Sequence, residues 1–315
     1  MTITVPQAEL FGTLLESMVY GANFISFLRC SHVLHVKYAE GRSMFPFFAA
    51  ALAIFVLITM HLVVDWIRAM RAFTDSMAEP DAPALFFRTV NSLLDITKTA
   101  IYVAVTLIAD LLIVYRTYLV WGRSYLAATI PFLLFIVDIA MSTWATWSLT
   151  QTRVSDDVLL ANVTIRAKYF YAVTLSLNLL CTFLISYRIW SIHLLVGGTT
   201  LSDRLSRVVH ILIESASCYS ALLLVLIITS ATGSPALFIV LNSTAPVIGV
   251  VFSAIIIGSL ENEPSRTAAD SVVSARPFST VFDYSVHVRL GHAIHSDQHT
   301  GGRKSLSDSA ISSIV

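Results

Sequence analysis

The sequence predicts an all-α, polytopic membrane protein, a seven-transmembrane helix bundle with an outer N-terminus and a cytoplasmic C-terminus. Three observations predict it. Of 315 residues, 56% are hydrophobic and 13% charged, and the mean hydropathy is +0.75, outside the range of soluble domains. Uncharged runs long enough for a helix to cross the hydrocarbon core, about 20 residues, recur along the chain. Basic residues also divide unequally between alternate connections. Twenty Lys and Arg balance twenty Asp and Glu, so no basic field recruits nucleic acid. Cys30, Cys181 and Cys218 sit in or beside apolar runs and build neither a disulfide framework nor a paired-cysteine metal site.

Residues 1–260 form the transmembrane domain. Span 1, residues 13–36, is the least apolar, because Glu16, Asn23, Arg29, His32 and His35 interrupt it. Span 2, residues 44–68, rests on a stretch without charge from 43 to 64. Span 3, 97–121, is apolar on both sides of one acid, Asp110, and span 4, 125–149, carries Asp138 near its middle. Span 5 covers 168–190. No charged residue occurs from Ser215 to Leu260, a run too long for one helix. Gly233-Ser234-Pro235 breaks it into spans 6 and 7, 208–231 and 236–260.

Orientation follows from the tendency of cytoplasmic loops to keep Lys and Arg. One side carries six basic residues, Arg68, Arg71, Arg88, Arg153, Arg166 and Lys168; the other, with the tail, carries twelve. The tail side is therefore predicted to be cytoplasmic, and span 1 to be a retained anchor, since no basic n-region suggests a cleaved signal peptide. Asn162-Val163-Thr164, a glycosylation acceptor pattern, falls on the side predicted to be outside. Asn242-Ser243-Thr244 also matches but lies within span 7. Trp66, Tyr118, Trp121 and Trp190 sit at span ends, as headgroup anchors do.

Residues 261–315 read as a disordered, Ser-rich cytoplasmic tail. Among its eleven serines, Ser279 follows Arg276 by three residues and Ser305 precedes Asp308 by three, which makes both phosphorylation candidates. Phe282, Tyr284, Val286, Val288 and Leu290 alternate with polar residues, a pattern for a peptide that adds to a partner's sheet edge or for an unbound segment. His292, His295 and His299 are read as a solvated stretch, so no metal site and no cofactor are expected. The connection from about 70 to 93 is the longest external one, a lid over an outer vestibule or a linker.

Ionisable groups within spans are costly unless they face a cavity or a partner. At 100° per residue, Asp95, Lys98, Tyr102, Thr106, Asp110 and Arg116 fall within an arc of about 120°, a polar stripe that must face the bundle interior. Depth along the helices puts Glu16, Asp65, Asp95, Lys98 and Lys168 toward the outer side, where the acids can pair with Lys98. Asp65, Asp95, Lys98 and Tyr102 are the ligand-binding candidates. Asp110, Arg116, Arg207 and Glu214 are placed toward the inner side as candidates for a conformational lock. Static packing and an ion or proton path are the alternatives to a moving lock. Asn242 and Pro246 read as a kink or a hinge in span 7.

The run from Ala109 to Arg123, Ala-Asp-Leu-Leu-Ile-Val-Tyr-Arg-Thr-Tyr-Leu-Val-Trp-Gly-Arg, resembles a recurring segment of an uncharacterised seven-transmembrane family of mushroom-forming (basidiomycete) fungi. Ser186 to Trp190, Ile213 to Ser220 and Ala245 to Phe252 are similar to that family in order and spacing, over roughly residues 13–260. The resemblance implies the seven-span fold and no activity. The outline is also similar to that of G-protein-coupled receptors, but their adjacent acid-arginine pair, span 7 asparagine-proline motif and outer disulfide have no counterpart here. No lysine lies in the last span, which excludes a microbial rhodopsin.

No nucleophile with a base, acid pair at reaction spacing or metal set is apparent, so an enzyme is not expected. The expected role is receptor-like: sensing a small molecule or peptide at a plasma membrane rather than an internal one, with the inner loops signalling to a cytoplasmic partner. A transporter or channel using the span 3 stripe, and a structural membrane protein without ligand, are the alternatives. The expected partners are the lipid bilayer, a ligand of unknown identity and a cytoplasmic signalling partner that need not be a G protein.

Overall fold

In the computed structural model, the described residues are 3–40, 45–74, 82–88, 92–151, 157–196 and 200–261, and all their regular structure is helical. Seven long helices and one short one succeed each other: α1 (Val5–Ala39), α2 (Phe45–Thr74), α3 (Ala82–Arg88), α4 (Leu93–Val120), α5 (Tyr125–Gln151), α6 (Asp157–Val196), α7 (Thr200–Thr232) and α8 (Ala236–Glu261). Six contain stretches long and apolar enough to cross a membrane, in α2, α4, α5, α6, α7 and α8. The chain is a helical, multi-pass membrane protein. The predicted tail, with Ser279, Ser305 and its histidines, lies outside the described residues.

Local chemistry sets several boundaries. The Thr4 backbone N–H donates to Gln7 Oε1 at 3.1 Å and Pro6 stands in the first turn, a favourable start for α1. Ser92 caps α4 by accepting from the Asp95 backbone N–H at 3.2 Å. The predicted break after α7 forms at Gly233, whose φ of 65° is left-handed, and the Ser234 N–H reaches back to the Thr229 carbonyl at 3.1 Å.

α4 is central, touching α2, α5, α6 and α8, while α1 lies along α8 over most of its length. Small residues let α1 and α8 approach: a Cβ on Gly12 would sit 2.8 Å from Asn242 Nδ2 and 3.1 Å from the Phe238 carbonyl. The buried face of α1 runs through Ala8, Gly12, Glu16, Asn23, Cys30, Leu34 and Lys37. Its outward face presents Leu10, Phe11, Leu14, Met18, Ile25 and Leu28. Of the polar residues that make α1 look unlike a span, Glu16 and Asn23 are thus turned inward, while Arg29, His32 and His35 are exposed toward its carboxyl-terminal end, beyond that apolar outward face. The main apolar core joins α1, α2, α4, α6, α7 and α8 through residues such as Leu34, Ile58, Val105, Leu223 and Ile256.

α3 falls in the connection read as a lid or a linker. It packs against α1 and α2, and the Phe87 ring stands 5.6 Å from the Arg68 guanidinium. Asn162, placed by the sequence in a loop, lies within α6.

Candidate functional site

Charges in an apolar bundle persist only where they are paired and hydrogen-bonded. At the end of the bundle where α1 begins, four helices bring such groups together. α1 supplies Glu9 and Glu16, seven residues apart and so on one face. α2 supplies His61, Asp65 and Arg68 at steps of four and three. Asp95 and Lys98 come from the first turns of α4, and Asn242 from α8.

Lys98 is the hub. Its Nζ donates to Asp65 Oδ1 and to Asn242 Oδ1, each at 2.7 Å, and stands 3.6 Å from Glu9 Oε2. The Asn242 amide in turn donates to Glu9 Oε2 at 3.2 Å, closing a ring of α4, α8 and α1 to which Asp65 ties α2 through Lys98. Arg68 forms a second layer, donating to Asp65 Oδ1 at 3.2 Å, lying 3.7 Å from Glu9 and pairing closely with Asp95. The Ser92 hydroxyl donates to Asp95 at 2.6 Å. His61 Nδ1 and Glu16 Oε1 are 2.6 Å apart, and the Glu16 carboxyl also reaches that of Asp65. Asp95 is the most open member, its side chain 15% exposed, while the ionic side chains of Glu9, Glu16, His61, Asp65, Arg68 and Lys98 are 7% exposed or less.

Four carboxyl groups face two permanent cations here, so two of the four have no cation to balance them when His61 is neutral. Four buried atoms, Glu16 Oε2, His61 Nε2, Asp65 Oδ2 and Arg68 Nε, have no hydrogen-bond partner. Such atoms carry a desolvation cost of about 1–3 kcal/mol each. The cluster therefore has unused coordination capacity as well as unbalanced carboxyls.

Deeper in the bundle the carboxyls of Asp110 (α4) and Asp138 (α5) lie within hydrogen-bond reach of each other, and the Thr174 hydroxyl of α6 donates to Asp138 at 2.8 Å. One carboxyl can donate to the other only if it holds a proton. Asn178 of α6 donates to the Ser220 hydroxyl of α7 at 2.9 Å. Thr174→Val should cost about 1–3 kcal/mol, since it leaves a buried carboxylate oxygen without its donor. Unfolding in mixed micelles measures this, and a loss below about 0.5 kcal/mol would mean the bond contributes nothing.

The structure brings Asp65, Asp95 and Lys98 into one network, as depth along the helices anticipates. Lys98, Tyr102, Thr106 and Asp110 are all buried, so the α4 stripe faces the interior. Tyr102 lies beyond the ion network, toward Thr106 and Tyr171. The four lock candidates are not assembled: among the described residues neither Asp110 with Arg116 nor Arg207 with Glu214 forms an ion pair. Arg116 lies near Cys30. Glu214 is on the outward face of α7, its side chain 76% exposed and 3.7 Å from His210, and Arg207 is exposed as well. Ser215, Ala216, Tyr219, Ser220 and Leu223 occupy the buried face of α7 instead. The side chain of Asn162 lies outside the described residues.

Glu9, His61, Arg68 and Asn242 were not singled out as site residues by sequence reasoning. The i, i+4, i+7 spacing of His61, Asp65 and Arg68 was the available signal for two of them. A groove of about 480 Å³ lined by Leu28, Arg29, His32, Val33 and Ile257 lies toward the opposite end of α1, away from the cluster.

Comparison with protein-family models, with curated proteins and with solved structures finds no match to the chain.

Proposed function

We propose that this chain is a receptor-like, seven-span protein of the plasma membrane that senses a small molecule or peptide at its outer end and signals through its inner loops. α1 acts as the seventh span in this reading, with the amino terminus outside and the carboxyl terminus in the cytoplasm. The resemblance to the seven-span family of mushroom-forming fungi belongs to the same reading. The observation that carries it is the ring of Glu9, Asn242 and Lys98, with Asp65 bonded to Lys98, which ties α1, α2, α4 and α8 at one end. A charged ligand that competed for Lys98 or Asp65 would loosen four helices at once, and packed helices pass such a change on as a discrete shift.

Epitope tags at the two ends, probed in intact and then selectively permeabilised cells, test the topology. An exposed amino terminus with a protected carboxyl terminus is expected; two protected ends remove α1 as a span. The switch is tested by spin labels at Arg123 and Glu261, at the end of the bundle opposite the ring, in a Cys218→Ser background. Asn242→Ala, which opens the ring without removing a charge, should shift or broaden the distance distribution between them. An unchanged distribution in the folded variant supports static packing.

A second reading has its own observation. The buried run Lys98, Tyr102, Thr106 and Asp110 leads from the ring to the Asp110–Asp138 pair, a line of polar groups suited to proton-coupled transport. Asp110→Asn keeps a donor toward Asp138 and should change stability by less than about 1 kcal/mol. Proton uptake by vesicles containing the protein should fall in this variant if the column conducts. Equal uptake in variant and wild type counts against transport.

A further inference from the structure

We propose that Glu16, His61 and Asp65 form a binding site for one divalent transition-metal ion of the zinc class. One donor atom from each of the three residues lies within 4.8 Å of the other two, and all three side chains are buried. That separation suits three ligands around a single ion.

Two further observations point to a cation. Glu16 Oε2 and Asp65 Oδ2 are buried acceptors without a donor, and His61 Nε2 is also unpartnered. The carboxyls of Glu16 and Asp65 reach each other, and two acceptor groups in contact need a cation or a proton between them. The surroundings also hold two more carboxyls than permanent cations, Glu9, Glu16, Asp65 and Asp95 against Arg68 and Lys98. A divalent ion cancels that excess.

The donor set selects the class. One imidazole with two carboxylates suits zinc and its neighbours, whereas calcium and magnesium prefer oxygen donors and larger shells. Three protein ligands leave a fourth position for water or a ligand group. Asp65 is held by Lys98 and Arg68 through Oδ1, which leaves Oδ2 for the metal and fixes its direction.

This inference needs only the folded cluster, whereas the sensing reading needs the far end of the bundle to respond. The test uses the full chain with His287, His292, His295 and His299 replaced by alanine and no polyhistidine tag, so that tail histidines cannot take up metal. Purified in nanodiscs, it should bind Zn²⁺ at one ion per chain with Kd below about 1 μM by calorimetry. Co²⁺ should give visible d–d bands that Zn²⁺ abolishes. Glu16→Gln and His61→Asn should each weaken binding at least about 10-fold. His210→Ala, at an exposed histidine, should leave it unchanged.

The wild-type titration suffices if the variants fail to fold. Folded wild-type protein that binds neither Zn²⁺ nor Co²⁺ overturns the proposal and assigns protons to the unbalanced carboxyls. Binding that survives both ligand substitutions in folded protein overturns the assignment to these residues. Metal binding with immobile spin labels at Arg123 and Glu261 leaves the site standing and counts against the sensor; the reverse result counts against the site alone.

Discussion

Lys98→Met is expected to destabilise the folded bundle by about 3–5 kcal/mol, because it removes one partner of a buried ionic network and leaves the others uncompensated. Methionine fills a similar volume, so the loss reports charge rather than a cavity. Lys98 Nζ is 2.7 Å from both Asp65 and Asn242, and without it Asp65 keeps only Arg68 as a cationic partner. The companion variant Lys98→Met/Asp65→Asn should recover part of the loss, since the stranded carboxylate is gone. A double-mutant cycle read from reversible unfolding in mixed micelles should give a coupling of at least about 1 kcal/mol. A single variant within about 0.5 kcal/mol of wild type would mean that the ring contributes nothing to stability and that Lys98 is solvated.

Gly249→Leu is expected to cost about 3 kcal/mol or more by overpacking. A Cβ at Gly249 would stand 2.7 Å from Ile58 Cδ1 and would also strike the Asn23 side chain, so α8 has to move away from α1 and α2. Asn23 is itself buried and cannot swing into solvent. Gly21→Leu is the internal control, because nothing lies within 4 Å of a Cβ there. The control should be neutral or gain up to about 1 kcal/mol from the better helix former. Equal effects at the two glycines would show that α1 and α8 do not approach as closely as described. Loss at Gly249 alone supports α1 as an integral part of the bundle.

Much of the fold was legible because it depends on properties of single helices. Runs of apolar residues mark six membrane-length helices, and a glycine with a proline two residues on ends α7 where it must end. The α4 stripe was legible for the same reason: one periodicity on one helix, with no need to know its neighbours. α1 resisted this reading. Hydropathy averages over all faces, and α1 turns Glu9, Glu16 and Asn23 inward while it presents leucines and phenylalanines outward as far as Leu28 and leaves Arg29, His32 and His35 exposed beyond it.

The candidate site was legible only in part. Depth along each helix was enough to group Glu16, Asp65, Asp95 and Lys98. It did not reveal Glu9, which lay before the expected start of span 1, or Asn242, whose side chain was read as loosening its own helix rather than bonding Lys98. The placement of Glu214 shows the opposite failure. An acid within an apolar helix looked like an interior residue, yet α7 buries the neighbouring face with Ser215, Ala216, Tyr219 and Ser220.

The sequence alone determined the class, because the burial of apolar surface and the pairing of backbone groups within each helix are local requirements of a membrane-spanning chain. It also determined which face of α4 is polar. Only the tertiary structure decided which charges meet. Lys98 and Asn242 are 144 residues apart, and their bond depends on the rotation of each helix and on which helices become neighbours. Asp110 met Asp138 rather than Arg116 for the same reason: six residues along one helix separates two side chains by about 9 Å, while an adjacent helix brings another within bonding distance.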